Sequence, residues 1–304
     1  MITVTNLHKY FQTSHALKGI NLQVKQGEIY GFIGQNGAGK TTTLNILAGL
    51  SRPTQGECLV AGIDVKKIKH PSELPIGYLP EAPKFYPWLT AFETLAYLGN
   101  SKKQKVGPTR IKELLGWVGL SEASHRRVGG FSRGMQQRLG IAAALLPEPK
   151  LLILDEPSSA LDPEGRAEVL QLILALKEMG KTVIFSTHIL SDVERICDTV
   201  GIIADGKMVL EKPLKALQKD TLVPIFDLTS LQPWPEQIKE KLLHLPGVKH
   251  VEIKGTIASI MFTDAKTASI RLMHFLSREG LAVSKFVQRQ HTLEDIFLRE
   301  VKIT

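Results

Sequence analysis

One stretch of eight residues restricts this chain more than any other. Gly34-Gln35-Asn36-Gly37-Ala38-Gly39-Lys40-Thr41 fits the pattern G-x-x-x-x-G-K-[S/T] and directly follows the apolar run Ile29–Ile33. A helical pattern begins near Gly39, so the glycines lie between a buried strand and a helix N-terminus. Gly34, Gly37 and Gly39 free the backbone to aim successive N–H groups at phosphate oxygens, at the positive end of that helix. Lys40 adds a mobile cation for the β- and γ-phosphates, and the Thr41 hydroxyl can ligate Mg²⁺. The segment therefore demands an α/β unit around a nucleotide phosphate chain.

The rest of the N-terminal two thirds agrees with that demand. Short β-branched runs at Ile2–Thr5, Ile20–Val24, Ile29–Ile33, Leu151–Leu154, Thr182–Phe185 and Val200–Ile203 alternate with helical patterns, the rhythm of a largely parallel sheet. Leu151–Leu154 is apolar throughout and ends in Asp155, as a strand buried on both faces does when its C-terminal edge meets a ligand. Between about Tyr86 and Leu146 the strand signal gives way to apolar residues at helical spacing, which predicts a helical insertion. Asp205-Gly206 reads as a hairpin turn, and the polar stretch 212–222 reads as a linker. Beyond it, strand-like and helical runs alternate in a small α+β pattern over 223–304, compatible with a ferredoxin-like arrangement, with a final helix from Thr292.

Composition narrows the class further. The 304 residues are 43% hydrophobic and 22% charged, enough to build a core and enough length for about two domains. No apolar run reaches the roughly 18 residues of a membrane span, and the N-terminus lacks the apolar stretch of a signal peptide, so a soluble, cytoplasmic chain is expected. Cys58 and Cys197 stand in apolar contexts and read as core residues. The net charge of +8 includes clusters at Lys66/Lys67/Lys69, Lys102/Lys103/Lys105 and Arg126/Arg127. Such clusters suit phosphate-bearing partners or anionic lipid, and equally serve as solvated faces.

Three further segments carry chemistry. Asp155 can reach Mg²⁺ from a strand tip, and Glu156 beside it can orient or deprotonate a water. Adjacent acids at a strand end also serve as caps; beside a phosphate loop the catalytic reading is the stronger. Phe131-Ser132-Arg133-Gly134-Met135 opens the helical pattern Leu139–Leu146 with a hydroxyl cap and a backbone free to approach an anion, or is an ordinary helix start. His188 follows the strand Thr182–Thr187, placed to contact a γ-phosphate, although a lone histidine there is often structural.

In this order and spacing, these pieces resemble the nucleotide-binding subunit of ABC transporters over residues 1–211, a P-loop NTPase core. In family terms Gly34 to Thr42 is similar to Walker A and Leu151 to Glu156 to Walker B, with Glu156 as catalytic carboxylate. Residues Ser132, Arg133, Gly134 and Met135 resemble the signature that acts across a dimer, Ser159 to Asp162 the D-loop, and His188 the switch histidine. The resemblance implies an N-terminal aromatic stacked on adenine, for which Phe11 is the better match and Tyr10 the runner-up; either ring could equally belong to a core. Two departures stand out. The signature reads FSRGM where LSGGQ is commonest, and Glu81 stands where a Mg²⁺-binding glutamine is usual.

The form SxGMxQR, the YLPE segment and the ending Thr292–Leu298 resemble the exporter branch, whose permeases are separate polypeptides. The resemblance implies ATP and Mg²⁺ as cofactors, a homo- or heterodimer of cassettes, a polytopic membrane permease as partner, and a place on the cytoplasmic face of the membrane. Tyr86, Pro87 and Trp88 are candidate docking contacts, or packing within the helical insertion. A soluble ABC ATPase acting on ribosomes or nucleic acid is the alternative, but such proteins carry two cassettes or a long coiled coil, so no nucleic-acid partner is expected. A regulatory ATPase with degraded catalysis is a third reading, opposed by retention of Lys40, Asp155, Glu156 and His188.

Overall fold

The computed structural model describes residues 1–100, 106–159, 161–219, 222–265, 267–290 and 293–294. The chain divides into two compact units, with the break between Leu214 and Lys215.

In chain order the first unit contains β1 (Ile2–Phe11), β2 (Ser14–Val24), β3 (Ile29–Ile33), α1 (Lys40–Leu47), β4 (Gln55–Val60), β5 (Ile63–Asp64) and β6 (Ile76–Leu79). Then come α2 (Ala91–Asn100), α3 (Pro108–Trp117), α4 (Arg133–Leu145), β7 (Leu151–Leu154), α5 (Pro163–Glu178), β8 (Thr182–Thr187), α6 (Leu190–Ile196), β9 (Thr199–Ala204) and β10 (Lys207–Pro213). Six strands form the central sheet in the order β10-β9-β3-β8-β7-β6. All its neighbours are parallel except β10, which returns antiparallel to β9. That return is the expected hairpin: Asp205 and Gly206 both adopt positive φ, as a two-residue turn matched to strand twist requires. Every residue of β3, β7 and β8 is buried, which is why these strands read as unbroken apolar runs.

The first two strands do not join this sheet. They belong to a separate antiparallel sheet ordered β2-β1-β4-β5. Only Gln12 and Thr13 separate β1 from β2, and a connection that short permits an antiparallel hairpin but no parallel crossover. Both strands are also longer than expected, since their antiparallel pairing continues through the polar positions to Tyr10–His15 and Phe11–Ser14. The helical insertion is built from α2, α3 and α4, within the 86–146 interval anticipated for it.

Residues 212–222, expected as a linker, are largely regular structure. Lys212 and Pro213 pair with Val200 and Thr199 at the end of β10, and Leu214–Lys219 forms helix α7. Lys212 is exposed on the edge strand β10 and Lys215 is exposed on α7, which is why the stretch reads as polar.

The second unit carries β11 (Leu222–Ser230), α8 (Ile238–Leu243), β12 (Val248–Lys254), β13 (Ile257–Phe262), α9 (Ala268–Arg278) and β14 (Val283–Gln290). Its strands lie in the order β12-β13-β11-β14, all antiparallel, which is the split β-α-β-β-α-β arrangement. Phe226, Leu228, Ile260 and Phe262 from the sheet pack with Ile238, Leu242, Leu272 and Phe275 from the helices. On β11, Asp227 alternates with these buried residues and takes two bonds from the Arg289 guanidinium, at 2.7 and 2.9 Å. Of the helix expected from Thr292 only Leu293 and Glu294 are described, both helical, and the lysine cluster 102–105 lies outside the described residues.

Candidate active site: a phosphate cleft and a helix-start cleft

The central sheet delivers its chemistry at the C-terminal ends of β3, β7 and β8. After β3 the chain turns through Gly34, where a Cβ would lie 2.6 Å from the Ile203 carbonyl oxygen; only glycine fits. Gly39 precedes α1 at φ +110°, and a Cβ there would press on Leu17. These two positions fix the loop's curvature. Lys40, the first residue of α1, folds back so that Nζ donates to the Gly34 carbonyl at 2.7 Å and the Gln35 carbonyl at 3.3 Å.

Glu156 meets this lysine from the end of β7. Its Oε1 lies 3.2 Å from Lys40 Nζ, and its Oε2 lies 2.9 Å from His188 Nδ1. A carboxylate accepts only, so Nδ1–H donates and Nε2 is left for another partner. Glu156 holds φ +47°, a left-handed conformation uncommon for a side chain of this kind. Its backbone N–H donates to Ser186 Oγ at 2.9 Å, and the same hydroxyl donates to Asp155 Oδ1 at 2.6 Å. Ser186, on the neighbouring strand β8, thereby orders both acids at once. Strain at Glu156 of about 1–3 kcal/mol is held by these contacts.

Gln35, Asn36, Gly37, Gly39, Lys40, Thr41, Thr42, Glu81, Glu156 and His188 line one cleft of about 330 Å³, joined by Ala16 and Ser159. Gly34 and Ala38 are the buried residues of the loop, Ala38 within the core. Asp155 is 1% exposed behind the cleft. The donor set expected at Mg²⁺, the Thr41 hydroxyl with the carboxylates of Asp155 and Glu81, is all oxygen. It suits a small hard cation that keeps water and phosphate ligands beside one or two carboxylates. No group of three or more His, Cys, Asp or Glu gathers into a metal cage among the described residues.

Phe11 does not line this cleft. Its ring is half-exposed at the end of β1, with Lys9 Nζ 4.9 Å from the ring centroid, while Tyr10 stacks on His15 at 4.0 Å.

A second cleft, of about 310 Å³, is formed by Ser132, Arg133 and Gly134 at the start of α4 with Leu161, Asp162 and the start of α5. Ser132 caps α4 by accepting from the Met135 N–H at 3.2 Å, and Asp162 caps α5 by accepting from the Gly165 N–H at 3.2 Å. Two helix N-termini thus share one cavity, whose walls carry Arg133 and Arg138 beside the carboxylates of Asp162, Glu164 and Glu168. The clefts have no lining residue in common.

Sequence reasoning missed three contributors. Ser186 carried a faint signal, as a hydroxyl near the end of an otherwise apolar buried strand. Gln137, 1% exposed on α4, donates Nε2–H to the Glu81 carbonyl at 3.1 Å and so ties the insertion to the loop that presents Glu81. Asp192 is a buried carboxylate on α6 paired with Ser158 and Arg166.

Comparison with known proteins accords with this geometry. Residues 17–159 match the family model described as ABC transporter, and 217–301 match that of the C-terminal domain of DrrA1-3-like ATP-binding proteins. The ABC transporter ATP-binding protein YxlF of Bacillus subtilis (strain 168) is 39% identical over 303 residues, 99% of each chain. Bacitracin transport ATP-binding protein BcrA of Bacillus licheniformis is 46% identical over 224 residues, 72% of each. Among solved structures, the dimeric ATP-binding cassette MJ0796 in a post-hydrolysis state with ADP and Pi superposes with a TM-score of 0.64 at 29% identity, covering 70% of this chain and 99% of that one. The ribosome or nucleic-acid alternative gains no support from these matches. With a P-loop unit of this order and a relative similar along its whole length, the chain belongs to the ABC transporter ATP-binding proteins, a family of ATPases.

Proposed function

We propose that this chain hydrolyses MgATP to drive export through a permease carried on a separate polypeptide, working as a pair of cassettes at the cytoplasmic face of the membrane. The observation that carries the reading is the contact of Glu156 with both Lys40 and His188 inside the phosphate cleft. Lys40 and the N–H groups of the loop hold the β- and γ-phosphates. Glu156 orients the attacking water and takes its proton, and His188, bonded to Glu156 through Nδ1, holds that carboxylate in place beside the γ-phosphate. Thr41, Asp155 and Glu81 are the residues assigned to Mg²⁺, which when bound neutralises charge on the triphosphate. Phe11 is assigned to the adenine ring.

Within one chain the Ser132 cleft shares no residue with the phosphate cleft. This supports closure by a second copy, whose Ser132, Gly134 and helix start would cover the γ-phosphate, with Asp162 at the seam. Arg133 and Met135 replace commoner small or polar residues there, but the Ser132 hydroxyl and the backbone donors are retained. No helix among the described residues is long and apolar enough to cross a membrane, in keeping with a separate permease. Tyr86 and Trp88, 47% and 63% exposed and ring to ring at 5.1 Å, are the docking contacts we assign to it. BcrA is named for bacitracin transport, which supports a cargo of the peptide-antibiotic class.

The test is capture of partners from detergent-solubilised membranes by the Glu156→Gln protein with MgATP, followed by mass spectrometry. A polytopic membrane protein is the expected partner. Recovery of ribosomes or nucleic acid with no membrane protein would overturn the reading.

A further inference from the structure

Among the described residues, Asp192 is the most deeply buried ion-pairing group outside the two clefts, and its partners come from either side of the 159–165 segment. It lies on α6, four residues after His188, and is 1% exposed. Its Oδ2 accepts from Ser158 Oγ at 2.7 Å. Its Oδ1 accepts from Arg166 Nε at 2.6 Å and lies 2.5 Å from Arg166 Nη2, which also donates to Ser191 Oγ at 2.8 Å.

The chain positions of these partners give the contact its meaning. Ser158 lies two residues after Glu156 and directly before Ser159, a wall residue of the phosphate cleft. Arg166 lies in the first turn of α5, and its backbone N–H donates to the carbonyl of Asp162, a wall residue of the second cleft. One carboxylate therefore grips the entry and the exit of the 159–165 segment and anchors both to the helix that follows His188. Two hydrogen bonds and an ion pair at one buried carboxylate make a stiff joint, because releasing any of them leaves a desolvated charge under-satisfied. A displacement of Asp162 or Leu161 at the second cleft is thereby passed to α6, and through it to the His188–Glu156 pair.

We propose that Asp192 is a positioning residue for hydrolysis: it couples the Asp162 face, where a second cassette would close, to His188 and Glu156 in the phosphate cleft. The inference rests on the ATPase reading above. It concerns the rate of the chemical step once nucleotide is bound, and leaves the phosphate-binding groups themselves untouched.

The experiment compares the full-length chain with Asp192→Asn and Ser158→Ala, measuring nucleotide affinity with a fluorescent ATP analogue, steady-state ATP turnover, and thermal unfolding. For Asp192→Asn, kcat should fall about 30-fold or more, with nucleotide affinity and KM held within about threefold. Ser158→Ala keeps the Arg166 pair and guards against a failure of Asp192→Asn to fold; its kcat should fall by a smaller factor, about 5- to 10-fold, at unchanged affinity. The double variant should lose no more activity than Asp192→Asn alone, since both act through one joint. Loss of affinity in step with kcat, or kcat unchanged in both folded variants, would overturn the inference while wild-type hydrolysis leaves the ATPase reading standing. A wild-type chain that neither binds nor hydrolyses ATP would overturn both.

Discussion

Lys40 Nζ and Glu156 Oε1 meet at 3.2 Å with each side chain only 6% exposed. The two arrive from different strands of the central sheet, more than a hundred residues apart, and the pair joins the group that would hold phosphate to the group that would activate water. Removing the lysine should therefore do more than weaken ATP binding. Lys40→Ala leaves the Glu156 carboxylate with the contact from His188 Nδ1 alone. Without nucleotide, urea unfolding of the first unit should show a loss of about 2 kcal/mol, below the range for a fully isolated buried pair because His188 remains. Retained stability with lost ATP binding would show that the pair carries no structural weight.

Ser186 predicts a second effect. Its hydroxyl accepts from the Glu156 N–H and donates to Asp155, so Ser186→Ala strands a buried donor and loosens both acids. A stability loss of about 1–3 kcal/mol is expected, measurable by denaturant titration. ATP turnover should fall about tenfold or more at unchanged nucleotide affinity, because misplacement of a catalytic group acts on the chemical step.

The cysteines give a prediction in chemistry rather than energy. Burial, then the nearby Asp64 charge, pushes the Cys58 thiol up to about 12, and burial raises Cys197 well above its ordinary value. Thiolate is the reactive form, so neither residue should react with a disulfide-exchange reagent at pH 8 in the native protein, and both should react in denaturant. Rapid native labelling of either would contradict the packing of β4 or of the segment after α6.

In the second unit, Asp227 supplies a pH dependence. Burial pushes its carboxyl up, but the bonds from Arg289 and Ser259 outweigh this and hold it below the usual carboxylate range. A depressed folded value contributes stability that is full above the unfolded value of about 3.9 and is lost as pH falls through the folded value. Asp227→Asn should therefore cost about 1 kcal/mol at pH 7, with the gap to wild type closing below about pH 4 in urea unfolding followed at both pH values. A gap independent of pH would assign the loss to packing instead.

Legibility in the sequence followed burial and local pattern. Ile29–Ile33 and Leu151–Leu154 could be read to the residue because both faces of these strands are covered, leaving no polar interruption. Gln55–Val60 escaped notice, since QGECLV mixes exposed polar positions with Cys58 and Val60 on the buried face. The phosphate loop, Glu156 and His188 were readable because each sits at a strand end in a short motif. Ser186, Gln137 and Asp192 were not, because their meaning depends on partners 30, 56 and 34 residues away that only folding brings near.

In the proposed function Glu156 performs hydrolysis within a nucleotide-closed pair of cassettes. Glu156→Gln keeps the shape of the side chain and removes its basicity, so the decisive measurement is ATP turnover together with sedimentation of this variant with and without MgATP. Turnover should fall about 100-fold or more, and the variant should sediment as a dimer with MgATP and as a monomer without it. Turnover within about threefold of wild type, with no nucleotide-dependent change in sedimentation, would contradict the account.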